Sequence, residues 1–194
     1  MKVALIPCGL TEWREQGRLL GRVELTLATD GAAQCSAWSE ELRPALLDRI
    51  FHAPDELSRT TAQLVSRQLN IPAKALDGLV EVDLGLWAGL TEEQLKSRYS
   101  TAHRQLVDSP LNVSPPKGED FSDAFARLQV CLRKRIKPNG RGGIGLVMRP
   151  FAFAMACHAL GGAGAAQIWE TSQNRDELIV MDYTGEVPAL ICDA

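Results

Sequence analysis

The sequence predicts an α/β protein, a three-layer α/β/α sandwich built on a mostly parallel central sheet. Two short apolar runs, residues 3–6 and 144–148, show no alternation with polar residues, so each reads as a strand buried on both faces. Between and after them come segments whose apolar residues recur at helical spacing. Strands alternating with helices are the pattern of a sheet covered on both sides.

Taken in order, residues 1–7 form a strand that ends in the turn Pro7-Cys8-Gly9. Residues 30–47 carry Ala33, Ala37, Trp38, Leu42 and Leu46 at helical spacing, with Asp30 as the expected N-cap. Ile50 and Phe51 make a short strand ended by Ala53-Pro54. Residues 58–69 form a second amphipathic helix with Ala62, Val65 and Leu69 on one face. Thr91, followed by Glu92 and Glu93, opens a third helix, since early acids suit the positive end of a helix. Residues 109–118 are a Pro-rich loop, and a fourth helix runs from about 121 to 135. A Gly-rich connection at 139–143 leads into the strand at 144–148. Pro150 then starts a helix that stops at Gly161-Gly162. Late strands are expected at 178–181 and 189–191, with a turn over 183–188 between them.

Composition excludes several classes of function. The chain has 194 residues, within the range one core serves, so residues 1–194 are expected to form a single domain. A net charge of −3 gives no general attraction to nucleic acid or to an anionic membrane, and neither is expected as a partner. No stretch approaches the roughly 20 apolar residues of a membrane helix. The run at 3–6 is far shorter than the core of a secretory signal, which implies a cytoplasmic protein. The five cysteines are scattered, with no CxxC and no Cys/His cluster, so reduced thiols are expected, with neither a metal nor a cofactor.

Ligands of open α/β sheets sit beyond the carboxyl ends of the strands. The places to look are therefore residues 7–14 and 148–151. Residues 7–13 read Pro-Cys-Gly-Leu-Thr-Glu-Trp, and residues 17–22 read Gly-Arg-Leu-Leu-Gly-Arg. Leu27, Gly31, Ala32 and Gln34 follow without a gap, then Ala53-Pro54 through Thr61-Ala62. Residues 79–91 read Leu-Val-Glu-Val-Asp-Leu-Gly-Leu-Trp-Ala-Gly-Leu-Thr, and 115–119 read Pro-Pro-Lys-Gly-Glu. Trp169, Asn174 and Tyr183 complete the series. Together these stretches resemble, in order and over nearly the whole chain, the histidine phosphatase (phosphoglycerate mutase-like) superfamily.

That resemblance implies a site whose chemistry has been replaced. In the family the histidine of Arg-His-Gly attacks phosphorus, two arginines and a second histidine hold the phosphoryl oxygens, and a glutamate is the general acid. Position by position, the nucleophile is Cys8, the arginine before it is Pro7, the second arginine is Leu57 and the second histidine is Arg149. The general acid alone is kept, as Glu81. His52, His103 and His158 match neither histidine position. Pro7 and Leu57 offer no side-chain hydrogen bond, and Arg149 cannot shuttle a proton.

The resemblance so read implies a degenerate member: a pseudo-phosphatase with a binding, regulatory or structural role. The alternative is a phosphomonoesterase using a different nucleophile such as Cys8. The spacing Cys8-x5-Arg14 resembles tyrosine phosphatase loops, but Glu12 and Trp13 stand where such loops need small residues. Arg14, Arg22, Arg59 and Arg149 are candidates for residual anion binding, with a small anion as ligand. Arg149 is expected to pair with an acid, Glu81 being the best candidate. The sequence leaves the oligomeric state open; the family often forms dimers, so the resemblance allows a homodimer.

Overall fold

A strand that is apolar on both faces is stable only between two layers of helices. The computed structural model, which describes residues 1–137, 142–173 and 177–185, has that arrangement. Its strands are β1 (Lys2–Pro7), β2 (Leu47–His52), β3 (Ala73–Ala75), β4 (Gly143–Met148) and β5 (Ile179–Asp182). They form one sheet in the order β3-β2-β4-β1-β5. The β1–β4, β2–β4 and β2–β3 pairs are parallel, and β5 alone runs antiparallel, against β1.

The period-two alternation of β1 divides the core. Ala4 and Ile6 face one layer, where they pack with Cys35, Trp38 and Leu42 of α2 (Gly31–Leu42) and with Ala62 and Val65 of α3 (Glu56–Leu69). Val3 and Leu5 face the other, larger layer. That layer is built on α6 (Phe121–Arg135), α7 (Pro150–Ala159) and α8 (Ile168–Ser172), with the buried Trp87. Shorter helices α1 (Glu12–Glu15), α4 (Glu92–Arg98) and α5 (Ser100–Asp108) complete the connections. Among the described residues no helix is long and apolar enough to cross a membrane.

Most departures from the sequence expectation lie at element ends. β2 is longer than Ile50-Phe51, because pairing with β4 recruits flanking residues that carry no apolar signal of their own. α3 starts two residues early, since Asp55 accepts from Ser58 N and caps it. Asp30 stands at the start of α2, but its side chain makes no capping bond. Thr91 caps α4 in a reciprocal box with Gln94. The Pro-rich stretch contains a 3₁₀ turn at Pro110–Asn112. β3 was not expected; its Ala-Lys-Ala sequence has no strand signal and is drafted by the edge of β2. The strand expected at 189–191, Asn174 and most of the Gly-rich connection lie outside the described residues.

One tight approach fixes the loops over the sheet's carboxyl end. Gly85 has φ +48, and a Cβ there would lie 2.2 Å from Pro116 O and 2.6 Å from Gly118 N. Both obstacles are backbone, so neither can swing aside. The bonds Leu86 N to Pro116 O and Glu119 N to Asp83 O hold the two loops together at that point. Gly85→Ala is expected to destabilise the fold by roughly 3 kcal/mol, from backbone strain plus overpacking. Chemical denaturation followed by circular dichroism measures it.

Candidate functional site

The parallel strands β1 and β4 end side by side. Cys8 N donates to Met148 O at 2.8 Å, which sets Cys8 beside the residue that precedes Arg149. The Cys8 side chain packs against apolar groups, with charged groups near enough to be felt. Cys8, Leu20 and Leu57 form a small buried cluster, with Trp13, Leu25 and Leu27 packed against it. Burial pushes the Cys8 thiol up to about 12, although the nearby Arg14 and Arg149 guanidiniums pull it the other way. Cys8 is thus a neutral thiol in a hydrophobic pocket.

Arg149 follows Met148 at the end of β4 and is wholly buried. Its Nε donates to Asp55 Oδ1 at 2.9 Å, and its Nη1 donates to Gly21 O at 2.8 Å and Val23 O at 2.7 Å. Nη2 and Asp55 Oδ2 have no hydrogen-bond partner among the described residues, so the pair is held by one bond and not by a two-bond fork. The partner expected from the sequence, Glu81, is corrected here. Asp55 lies closer because the turn after β2, which caps α3, points the same carboxylate at β4. The signal was present in Pro54-Asp55 followed by Ser58, a helix start whose cap residue also has a free lone pair.

Glu81 has a different duty. Its carboxylate accepts from Phe151 N and Ala152 N, both at 2.9 Å, and from Val82 N at 2.8 Å. The N-cap residue of α7 makes no side-chain cap bond, so a carboxylate remote in sequence caps that helix. Burial raises the Glu81 carboxyl to about 7, against the lowering by those three backbone bonds and by Arg149.

The four candidate anion-binding arginines do not share one open pocket. Arg22 donates to Glu81 O and to Glu119, each at 2.7 Å. Arg59 is half-exposed and pairs with Glu56 on the outer side of α3. Arg14 is buried and lines a cavity of about 20 Å³ with Arg18, Glu81 and Phe151, room for about one water. Arg149 instead floors a cleft of about 280 Å³ whose walls include Arg22, Glu24, Pro54 and Asp55. Both cations of that cleft are committed to acceptors, and it also carries Glu24, Asp55 and Glu81.

The histidines stand elsewhere. His52 donates to Ala53 O at 2.7 Å, His103 meets Glu92 and the Trp169 ring, and His158 stacks on Phe125. Among the described residues no three His, Cys, Asp or Glu side chains gather so as to hold a metal ion.

A mostly parallel α/β/α sandwich with its site at the carboxyl ends of β1 and β4 defines the phosphoglycerate mutase-like class. The family model of the histidine phosphatase superfamily (branch 1) matches residues 3–192, and the chain belongs to that superfamily. It is 26% identical over 170 residues to phosphoserine phosphatase 1 of Hydrogenobacter thermophilus, covering 87% of this chain and 80% of the relative. A 2,3-bisphosphoglycerate-dependent phosphoglycerate mutase of Bartonella quintana is 24% identical, with 97% and 90% covered. Among solved structures, a mycobacterial glucosyl-3-phosphoglycerate phosphatase superposes with a TM-score of 0.79 at 19% identity, covering 92% of this chain and 91% of that one. The α-ribazole phosphatase of Shigella flexneri gives 0.76 at 18% identity, covering 98% and 96%.

Two outcomes follow from the charges. Removing the carboxylate in Asp55→Ala strands a buried guanidinium and is expected to cost about 3–5 kcal/mol, whereas breaking the exposed Arg59–Glu56 pair should cost under about 1 kcal/mol. Urea unfolding of the two variants compares them. For Glu81 the folded carboxyl titrates above its ordinary 4.5, so the folded state binds the proton more tightly than the unfolded chain. The stability this adds is complete below 4.5 and is lost as pH rises through about 7. Melting temperature is expected to fall over that window in the wild type, with a shallower slope in Glu81→Gln.

Proposed function

We propose that this chain is a histidine phosphatase-fold protein that acts by binding, in a regulatory or structural role, without phosphohistidine chemistry. The observation that supports this best is the Arg149 guanidinium, buried against Asp55, Gly21 O and Val23 O at the end of β4. By the family resemblance, that is where a phosphoryl group would be held. The positions that match the nucleophile and one of its arginines, Cys8 and Leu57, are joined in an apolar cluster instead. A phosphoryl transition state needs fixed donors on its equatorial oxygens and a nucleophile in line. Here one side of that space is hydrocarbon and the other is an internal ion pair. The acids along the adjoining cleft oppose a dianion further.

A second reading, a phosphomonoesterase acting through Cys8, draws on Glu81. A carboxyl titrating near 7 suits a general acid at neutral pH. The thiol argues against it: burial pushes Cys8 well above the usual thiol range, so at neutral pH it stays protonated and is a poor nucleophile.

The deciding experiment is turnover. Purified protein is expected to hydrolyse p-nitrophenyl phosphate and phosphoserine no faster than buffer, and Arg149→His alone should not restore a rate, because Pro7, Cys8 and Leu57 remain. Turnover that persists through repurification and disappears in Cys8→Ser or Glu81→Ala would establish the phosphatase reading instead.

A further inference from the structure

The edge of the sheet farthest from β5 carries a groove that nothing in the strand-end site uses. It lies between β3 and α6 and encloses about 700 Å³, a size ordinary for a binding site. Its apolar surface comes from Leu76, Cys131 and Val130, the last of which is 40% exposed. Its rim is cationic: Lys74 from β3, and Lys134 and Arg135 from the last turn of α6, all exposed. Arg135 is set in place over the Phe51 ring, 5.6 Å from its centroid. Asp77 is the one acid among the groove's lining residues, in a chain whose net charge is −3.

Among the described residues, β3 is an edge strand with no partner on its outer side. Pro72 O accepts from Ile50 N, and Leu76 N donates to His52 O, so the even-numbered residues of this stretch face β2. In a parallel pair the intervening residues point their amide and carbonyl the other way. Ala73 and Ala75 therefore direct their N–H and C=O groups outward along an edge that is three residues long. An unpaired edge next to an apolar floor is a template for an added strand.

We infer that this edge receives an extended acidic peptide segment of a partner protein, added as a sixth strand beside β3 with apolar side chains in the groove and carboxylates on Lys74, Lys134 and Arg135. Charge complementarity selects that occupant. A second copy of this chain, paired edge to edge about a two-fold axis, would bring its own Lys74, Lys134 and Arg135 against these. The α6 stripe from Ala126 to Arg135 is about 13 Å long at 1.5 Å per residue, which matches about four residues of extended chain. The inference is independent of the reading of the strand-end site.

The test uses the full chain and a fluorescein-labelled hexapeptide of alternating glutamate and valine, with alternating lysine and valine as control. Anisotropy should rise with the acidic peptide only, and the affinity should weaken as salt is added. The double reversal Lys74→Glu, Lys134→Glu lies at exposed positions, so melting should not change while the affinity drops about tenfold or more. Hydrogen exchange at the Ala73 and Ala75 amides should slow on adding peptide, which reports strand addition without any variant. Absence of binding, equal binding of the basic peptide, or indifference to the charge reversal would overturn the proposal. So would binding that leaves those two amides unprotected. Concentration-dependent protection of Ala75 without peptide, together with a dimer by sedimentation, would overturn it in favour of a second copy.

Discussion

A guanidinium taken wholly out of water loses several kcal/mol of hydration, and only a counter-charge and acceptors for its N–H groups repay that loss. Arg149 is placed in this position by the end of β4, and the surrounding chain is arranged to satisfy it. Asp55 brings the charge from the turn after β2. Gly21 and Val23 bring carbonyls from the loop that crosses the strand ends. Two segments remote in sequence are thereby tied to one side chain. The loop at 20–27 in turn supplies Leu20, Leu25 and Leu27 to the cluster around Cys8. The ion pair and the apolar cluster are therefore coupled: the loop that binds Arg149 through its backbone seals Cys8 with its side chains.

The second dependency runs through Glu81. Its carboxylate caps α7, which is buried along nearly its whole length in the larger core layer, while its carbonyl accepts from Arg22. Arg22 then meets Glu119, which also binds Arg127, and Arg127 returns to the carbonyls of Gly78 and Val80. The segment 78–83 is thus clamped by Arg127 of α6 at one end and by Arg22 and Glu119 of two loops at the other. The cap gives the Glu81 carboxylate a structural duty of its own. A helix N-terminus needs an acceptor whether or not a phosphate is near, so capping alone retains Glu81. The same fact limits what its raised titration says about catalysis, because burial under α7 is sufficient to produce it.

The superfamily relationship rests on the frame. Relatives at 24–26% identity and solved structures at 18–19% share the frame with this chain. A frame set by strand order and two hydrophobic layers does not depend on which polar groups stand at the strand ends. The apolar cluster of Cys8, Leu20 and Leu57 is a small satellite of the core at the end of β1.

Much of this was legible in the sequence. The unalternating runs of β1 and β4 require burial on both faces, and the helix periods supply the covering layers, so the sandwich follows from local pattern and the hydrophobic effect. The chain also shows directly that a cysteine and an arginine follow the two buried runs, after Pro7 and Met148. Tertiary structure decided the partners. Asp55, rather than Glu81, meets Arg149, because the direction of a cap carboxylate depends on how the β2–α3 turn packs against β4. β3 exists as a strand because β2 offers it unpaired backbone, a non-local bond that Ala-Lys-Ala does not announce. Apolar periodicity is written along the chain, whereas the pairing of buried charges and the recruitment of an edge strand are set by distances between segments that only folding brings together.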